Sequence, residues 1–137
     1  PPGRAVEAEV VLELPYPPSE NHYRAHLRGH MVVITAAGKA YRKAVRAVAV
    51  ESGFVPDSTG ATPRTLRGPI SVRVDLYPAD NRRRDVDNPL KALLDSLTFA
   101  GVWGDDSQIV RLLVEKKRRV DGNPFCVVAI REHHELP

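Results

Sequence analysis

The sequence has little cysteine and contains no long hydrophobic run. Its single cysteine, Cys126, has no partner for a disulfide within the chain, and the Phe-Cys-Val-Val setting predicts a buried, structural side chain. No apolar run approaches the ~20 residues of a membrane-spanning helix, and no signal peptide is evident. We therefore expect a globular cytoplasmic protein with no membrane partner. Because the chain begins at Pro1 without a methionine, we expect some N-terminal residues to be missing.

A strong net charge is also absent. Twenty Lys and Arg against 17 Asp and Glu give a formal charge of +3, so the distribution of charge is more informative than its sum. Cations are concentrated at 82–84 and 111–119. Such clusters are typical of a phosphate-binding surface, and also of a strand edge that its charges protect from aggregation. The chain has 137 residues and no repeat, which predicts one domain over 1–137 with an ordered core at about 5–131.

Alternating and helical patterns of apolar residues predict the fold class. We predict strands at 6–14, 31–34, 70–76, 109–117 and 125–130, with a turn at 121–122 joining the last two as a hairpin. Residues 15–23 and 54–68 are predicted loops, and the tail from Arg131 is expected to be loose. This order predicts an α/β (α+β) domain with a mixed β-sheet flanked by two main helices.

The two main helices have recognisable ends. Thr35 is a suitable cap for a helix that extends to about Ser52, where Gly53 is the stop signal. Pro89 suits the first position of the second helix, with Asn88 as its cap, and leucines then recur at helical spacing to residue 97. On the first helix, one apolar face belongs to the core. The basic residues of that helix could follow a DNA backbone or simply face water.

The segment 82–108 contains the residues best suited to chemistry. Three arginines precede Asp85 and Asp87, which are followed by a helix N-terminus and by Lys91 one turn later. If residues 85–87 are extended, both carboxylates point to one side and Val86 points to the core. Mg²⁺ usually binds one or two carboxylates and keeps waters, while the helix N-terminus and Lys91 favour an anionic phosphate nearby. The alternative is that the two aspartates merely complement the helix dipole.

A second pair, Asp105 and Asp106, follows that helix. Twelve helical residues span about 18 Å, so Asp106 starts far from Asp87 and reaches it only if 101–106 return along the helix. Otherwise the two pairs meet across a dimer interface. A rival site is Glu115-Lys116-Lys117, which matches the Glu-x-Lys half of a restriction-type nuclease but lacks a convincing upstream acid.

The chain resembles the RusA family of Holliday-junction resolvases. The resemblance is densest in Arg84–Leu97 and Ala100–Gln108, and it extends to the Pro-Pro-Ser-Glu-Asn-His-Tyr loop at 17–23 and to Gly38–Arg42. It implies a RusA-like, homodimeric, Mg²⁺-dependent endonuclease, with Mn²⁺ as a plausible substitute, that nicks two opposed strands of a four-way DNA junction. The place of action would be the cytoplasm of a bacterial or phage-infected cell. Departures from the family pattern are the 54–68 segment and the basic 116–119 run.

The resemblance also implies roles for individual residues. Asp85, Asp87 and Asp106 match the catalytic metal ligands, Asp105 lies beside them, and Lys91 matches a lysine near the scissile phosphate. The residues expected to contact DNA are Arg82, Arg83, Arg84, Lys91, Asn21, Tyr23, Lys39, Arg42, Lys116 and Lys117. For Tyr23 the alternative, which its proline-rich loop favours, is packing against its own domain. The alternatives are a non-catalytic branched-DNA-binding protein, in which the acids are only helix caps, and a general metal-dependent nuclease.

Overall fold

The computed structural model describes residues 9–59, 62–81, 83–118 and 122–134, and its elements are counted within these ranges. The strands are β1 (Val10–Pro15), β2 (Arg24–His26), β3 (Val32–Ile34), β4 (Ile70–Tyr77), β5 (Ile109–Lys116) and β6 (Phe125–Glu132). The helices are α1 (Glu20–Tyr23), α2 (Ala36–Glu51) and α3 (Leu90–Phe99). None of these helices has the length and apolar character needed to cross a bilayer.

The main sheet has four strands in the order β1-β6-β4-β5. Strand β6 is antiparallel to β1 and β4, whereas β4 and β5 are parallel. Parallel neighbours need a crossover connection, and α3 lies in the connection from β4 to β5. Strands β2 and β3 form a separate antiparallel hairpin. The predicted mixed sheet with flanking helices is therefore confirmed.

The predicted hairpin between the last two strands is wrong. Strand β6 lies between β1 and β4, and β5 pairs only with β4 within the described residues. The side chains of Cys126, Val128 and Ile130 are buried, so β6 occupies the centre of the sheet, while most of β5 is exposed at its edge. The expected loose tail is also wrong up to residue 134, because β6 continues to Glu132 and the His133 amide donates to Pro69 O at 2.9 Å.

The core lies between one face of the sheet and helices α2 and α3. The apolar stripe of α2 is buried as predicted, and Leu93 and Leu97 supply the stripe of α3. Thr35 caps α2 as predicted, since its Oγ1 accepts from the Gly38 amide at 3.0 Å. Helix α3 begins one residue later than predicted, with Pro89 and not Asn88 at the cap position.

The proline-rich loop and the first strand differ from their predictions at their ends. Residues 19–23 are not all loop, because α1 begins at Glu20, two residues after the last proline, and its Tyr23 amide donates to Ser19 O at 2.9 Å. Strand β1 begins at Val10, and residues 6–8 of the predicted strand lie outside the described residues.

Candidate active site

Asp85 and Asp87 lie on the loop that leads from β4 into α3. Both are exposed, and Asp87 O accepts from the Leu90 amide at 3.1 Å, which ties this aspartate to the start of the helix. Val86 does not point to the core as expected, since 41% of it is exposed. The chain bends at 86–87 instead of continuing as a strand, so the alternation on which that expectation depended does not hold there.

Contacts of Arg84, which directly precedes the two aspartates, place this loop at the C-terminal end of β5. Lys116 Nζ donates to Arg84 O at 2.8 Å, and Arg84 Nη1 donates to Asp80 Oδ1 at 2.7 Å. Lys91 is exposed in the first turn of α3. The two aspartates and the lysine therefore lie on one continuous loop and helix start, beside the C-terminal end of β5.

Asp106 lies at the opposite end of β5, in a 3₁₀ turn at Asp106–Gln108 that immediately precedes the strand. Its Oδ1 accepts from Trp103 Nε1 at 2.9 Å and from Thr98 Oγ1 at the end of α3. Trp103 is fully buried. The carboxylate is therefore held in a fixed orientation by a rigid support.

Asp105 has a structural role in the same turn. It caps the 3₁₀ turn through a bond from Ser107 N to its Oδ1 at 2.8 Å, and Gln108 Oε1 accepts from the Asp105 amide at 2.9 Å. Hydrogen bonds from the backbone and from the side chain of Ser107 hold the pKa of Asp105 below its usual range. Asp105 thus remains ionised while it shapes the loop that carries Asp106.

The predicted 54–68 loop supports this turn. Thr65 Oγ1 donates to Gly101 O at 2.6 Å, and the Leu66 amide donates to Val102 O at 2.9 Å. Gln108 Nε2 returns bonds to Leu66 O and Gly68 O at 3.0 and 2.9 Å. The sequence left the role of this segment open, and its described residues brace the loop that presents Asp106.

The two aspartate pairs do not meet within one chain. Arg84 contacts the last residue of β5, whereas Asp106 precedes its first residue, and eight strand residues span about 23 Å. The path by which 101–106 return along α3 to Asp87 is therefore wrong. Among the described residues, no three acidic, histidine or cysteine side chains form a cluster suited to a metal ion.

A partly buried network links the three helices. Arg42 on α2 donates to Asp95 Oδ2 at 2.7 Å and to Tyr23 Oη at 2.6 Å, and Tyr23 itself donates to Asp95. Burial alone would raise the pKa of Asp95, but the bonds from Tyr23 and Arg42 outweigh it and hold that pKa below its ordinary value. Tyr23 is completely buried, so its expected contact with DNA is corrected to a supporting role.

The other residues expected to contact DNA are distributed over several elements. Arg83, Lys39, Lys116 and Asn21 are exposed, Arg42 and Arg84 are half-buried in the ion pairs above, and Arg82 lies outside the described residues. Lys117 is engaged by Glu115 at 2.5 Å.

The rival Glu-x-Lys motif does acquire a companion acid. Asp75 on β4 is the direct neighbour of Glu115 on β5, a pairing that sequence order alone did not reveal. Arg73 approaches both acids at 3.3 Å, and Lys117 Nζ lies 3.8 Å from Asp75. Because two cations already neutralise two carboxylates, these residues form a closed ion-pair network instead of an open acidic site.

Comparison with known proteins bears on the aspartate site. Residues 15–131 match the family described as "Endodeoxyribonuclease RusA". The chain is 41% identical over 105 residues to the crossover junction endodeoxyribonuclease of Enterobacteria phage 82, and 39% identical to those of Escherichia coli K12 and Shigella sonnei Ss046. Each match covers 77% of this chain and 80% of the relative. The resemblance inferred from the motifs is confirmed, and the chain belongs to the RusA endodeoxyribonuclease family.

Proposed function

We propose that this protein is a Mg²⁺-dependent endodeoxyribonuclease that resolves four-way DNA junctions by paired, symmetrical nicks in recombination and repair. The relatives are named as crossover junction endodeoxyribonucleases, and the substrate is carried over on that basis. The observation that supports the site is the placement of Asp85 and Asp87 at one end of β5 and of a rigidly held Asp106 at the other. The cytoplasm of a bacterial or phage-infected cell is the proposed place of action.

We infer that the protein acts as a homodimer in which the β5 strands of two copies pair antiparallel. Strand β5 is a sheet edge within the described residues, and Val110, Leu112 and Leu113 on it are 52%, 41% and 42% exposed. A long apolar edge of this kind is a template for another strand. A two-fold axis perpendicular to the sheet would bury these side chains and leave the helices of both copies on the same face.

This pairing would complete the metal site. Antiparallel strands bring the start of one β5 beside the end of the other, so Asp106 of one copy would approach Asp85 and Asp87 of its partner. Two such composite sites would lie about one strand length, ~23 Å, apart. Each site would therefore contain carboxylates from both copies, and the two-fold symmetry of the dimer would match the symmetry of the nicks.

The charges on β5 favour one register. Directly paired residues of antiparallel strands point to the same face, so the axis must pass midway between the two copies of one β5 residue. With the axis at Leu113, Arg111 faces Glu115 of the other copy, and Leu112 faces Val114. Opposite charges and apolar residues are then paired across the interface, which stabilises a sheet by roughly 0.2–1 kcal/mol per pair.

The residues of the composite site fit a divalent cation by their chemistry. Two exposed carboxylates on one loop are the donor set that Mg²⁺ prefers, with room for water and phosphate oxygens. The bound ion would activate a water and neutralise charge on the phosphate. Asp85 and Asp87 would hold it, with Asp106 of the second copy oriented by Trp103 and Thr98.

Lys91 and the neighbouring cations would bind the DNA backbone. Lys91 lies in the first turn of α3, where its ammonium and the helix N-terminus would both stabilise negative charge that develops on the scissile phosphate. Arg83 and Lys116 extend the positive surface beside the same loop. These contacts would position the strand without reading its sequence.

The proposal is tested by separating binding from cleavage. The Asp87→Asn variant should bind a labelled four-way junction at least as tightly as the wild type, because a negative charge near phosphate is removed, but its cleavage should be lost. Glu51→Gln removes an exposed acid at the end of α2 and should cleave normally. Glu115→Gln weakens one proposed cross-strand pair by at most ~1 kcal/mol and should retain cleavage, because the rival network is structural. Near wild-type cleavage by Asp87→Asn would refute the assignment.

A further inference from the structure

Phe99 forms an aromatic platform at the C-terminal end of α3. Its side chain is 49% exposed, whereas the neighbouring Leu97 and Ala100 are buried in the core. The ring borders a surface cavity of about 420 Å³. The remaining lining of this cavity comes from α2 and consists of Lys39, Arg42, Lys43 and Arg46.

The surroundings of the ring combine apolar surface with an excess of positive charge. The guanidinium carbons of Arg42 and Arg46 lie 4.8 and 5.9 Å from the ring centroid. Asp95 and Tyr23 hold Arg42 in place, so this side of the platform is preorganised. Asp95 offsets the charge of Arg42, and Lys39, Lys43 and Arg46 supply three further cations around the cavity. The complementary ligand is therefore flat, apolar on its faces and attached to negative charge.

A nucleotide with an unstacked base has this chemistry. Base–aromatic stacking beside backbone-binding cations is a general way to bind single-stranded nucleic acid. The bases of an intact duplex are already stacked on each other, so the platform favours nucleotides at a branch point or in a single strand. We propose that Phe99, together with Lys39, Lys43 and Arg46, stacks one unpaired base of the DNA substrate and binds its flanking phosphates. The proposal deepens the proposed function and rests on DNA being the substrate.

The location of Phe99 suits this role. The preceding residue, Thr98, donates to Asp106, so the platform and one carboxylate of the composite site are carried by the same end of α3. A strand that enters the catalytic centre would therefore pass close to the ring. The contacts of Arg42 and Arg46 with Phe99 would also form if the ring only packed α3 against α2. The experiment below separates this structural role of Phe99 from base stacking.

The experiment compares DNA with and without bases on the same backbone. Binding is measured by fluorescence anisotropy, without divalent metal, for a single-stranded oligothymidine and for an abasic oligonucleotide of equal length. The Phe99→Ala variant should bind the oligothymidine about 5- to 150-fold more weakly, as expected for the loss of one stacked base. Its affinity for the abasic strand should be unchanged, and Phe99→Tyr should restore base-dependent binding.

Two controls make the outcome decisive. Val55→Ala truncates an exposed apolar side chain on another segment and should change neither affinity. Because Phe99 is half exposed, its alanine variant should retain the urea midpoint of the wild type. Equal losses on both ligands, or no loss on either, would overturn the stacking role. This assay measures binding and not cleavage, so its result is separate from that of the cleavage test. If the protein cleaves junctions but binds DNA equally well without Phe99, only this inference is refuted. If binding depends on the bases through Phe99 but no junction is cleaved, only the proposed function is refuted.

Discussion

Mixed dimers of two inactive variants provide the sharpest consequence of the composite site. Asp85→Asn disables the ligands at one end of β5, and Asp106→Asn disables the ligand at the other. Within one chain these ends are about 23 Å apart, whereas a metal–carboxylate bond is only ~2.1 Å long. No side-chain rearrangement spans that gap. Each variant alone should therefore be inactive, and a mixed dimer should regain one complete site.

The expected recovery can be calculated from the symmetry. When equal amounts of the two variants exchange subunits freely, about half of the dimers are mixed. Each mixed dimer has one intact site of two, so about a quarter of the sites present in the wild type should be restored. Each mixed dimer should nick a single strand. On a denaturing gel the mixture should yield the cleaved strand, while a native gel should show a nicked junction and not resolved duplexes.

A matched mixture provides the control. Asp85→Asn mixed with Asp87→Asn contains two defects at the same end of β5, so its mixed dimers have no complete site and should remain inactive. Differently tagged protomers, copurified through both tags, establish that exchange has occurred. If the copurified mixed dimers of Asp85→Asn and Asp106→Asn cut nothing, the site shared between copies is refuted.

Three further predictions concern the register, the helix contact and the acid-sensitive network. Under oxidation, the Leu113→Cys variant should form a disulfide between the two copies, and Val110→Cys should not. The reason is that only the two copies of residue 113 face each other across the proposed axis. Equal cross-linking of both variants would contradict the register. Gly38→Ala should destabilise the fold by about 1–3 kcal/mol in urea unfolding, since an added Cβ would overlap Tyr23 O, and an unchanged or raised midpoint would show that this overlap relaxes. The pKa of the Asp95 carboxyl lies below its unfolded value of about 3.9, so the ionised carboxylate stabilises the fold above that pH and this stabilisation is lost below it. The free energy of unfolding should therefore fall more for the wild type than for Asp95→Asn between about pH 5 and pH 2. Parallel pH profiles of the two proteins would exclude this linkage.

Local signals predicted much of the fold. The cap at Thr35, the apolar stripe of α2 and the alternation of β4 depend on neighbouring residues, and all three are observed. The pairing of β6 could not be predicted in the same way. Adjacent strands usually form hairpins, whereas the strand pairing of the structure places β4 between β5 and β6. The resulting central position of β6 buries Val128 and Ile130.

The candidate site also combines local features that the sequence predicts with tertiary features that it does not. The carboxylates and Lys91 are recognisable in the sequence because their spacing and the family motifs are local. Two features depend on tertiary structure, and the sequence pattern indicates them only weakly. One is the bracing of the Asp106 loop by residues 62–68, and the other is the position of the exposed Phe99 ring opposite the basic stripe of α2. Phe99 falls outside the leucine pattern of α3, and this was the available sequence signal. The proline-rich loop of Tyr23 left two interpretations open, contact with DNA and packing on its own domain, and the structure supports the second, since Tyr23 is buried beside Arg42 and Asp95.

Cleavage of a four-way junction tests the central claim most directly. A junction and a linear duplex of the same sequence, each labelled at the 5′ end, are incubated with the wild-type protein in EDTA and in Mg²⁺. We predict paired, symmetrical nicks in the junction only with Mg²⁺, binding without cleavage in EDTA, and no cleavage of the linear duplex. Binding without cleavage in Mg²⁺ would contradict the enzymatic claim, and equal cleavage of the linear duplex would contradict junction selectivity.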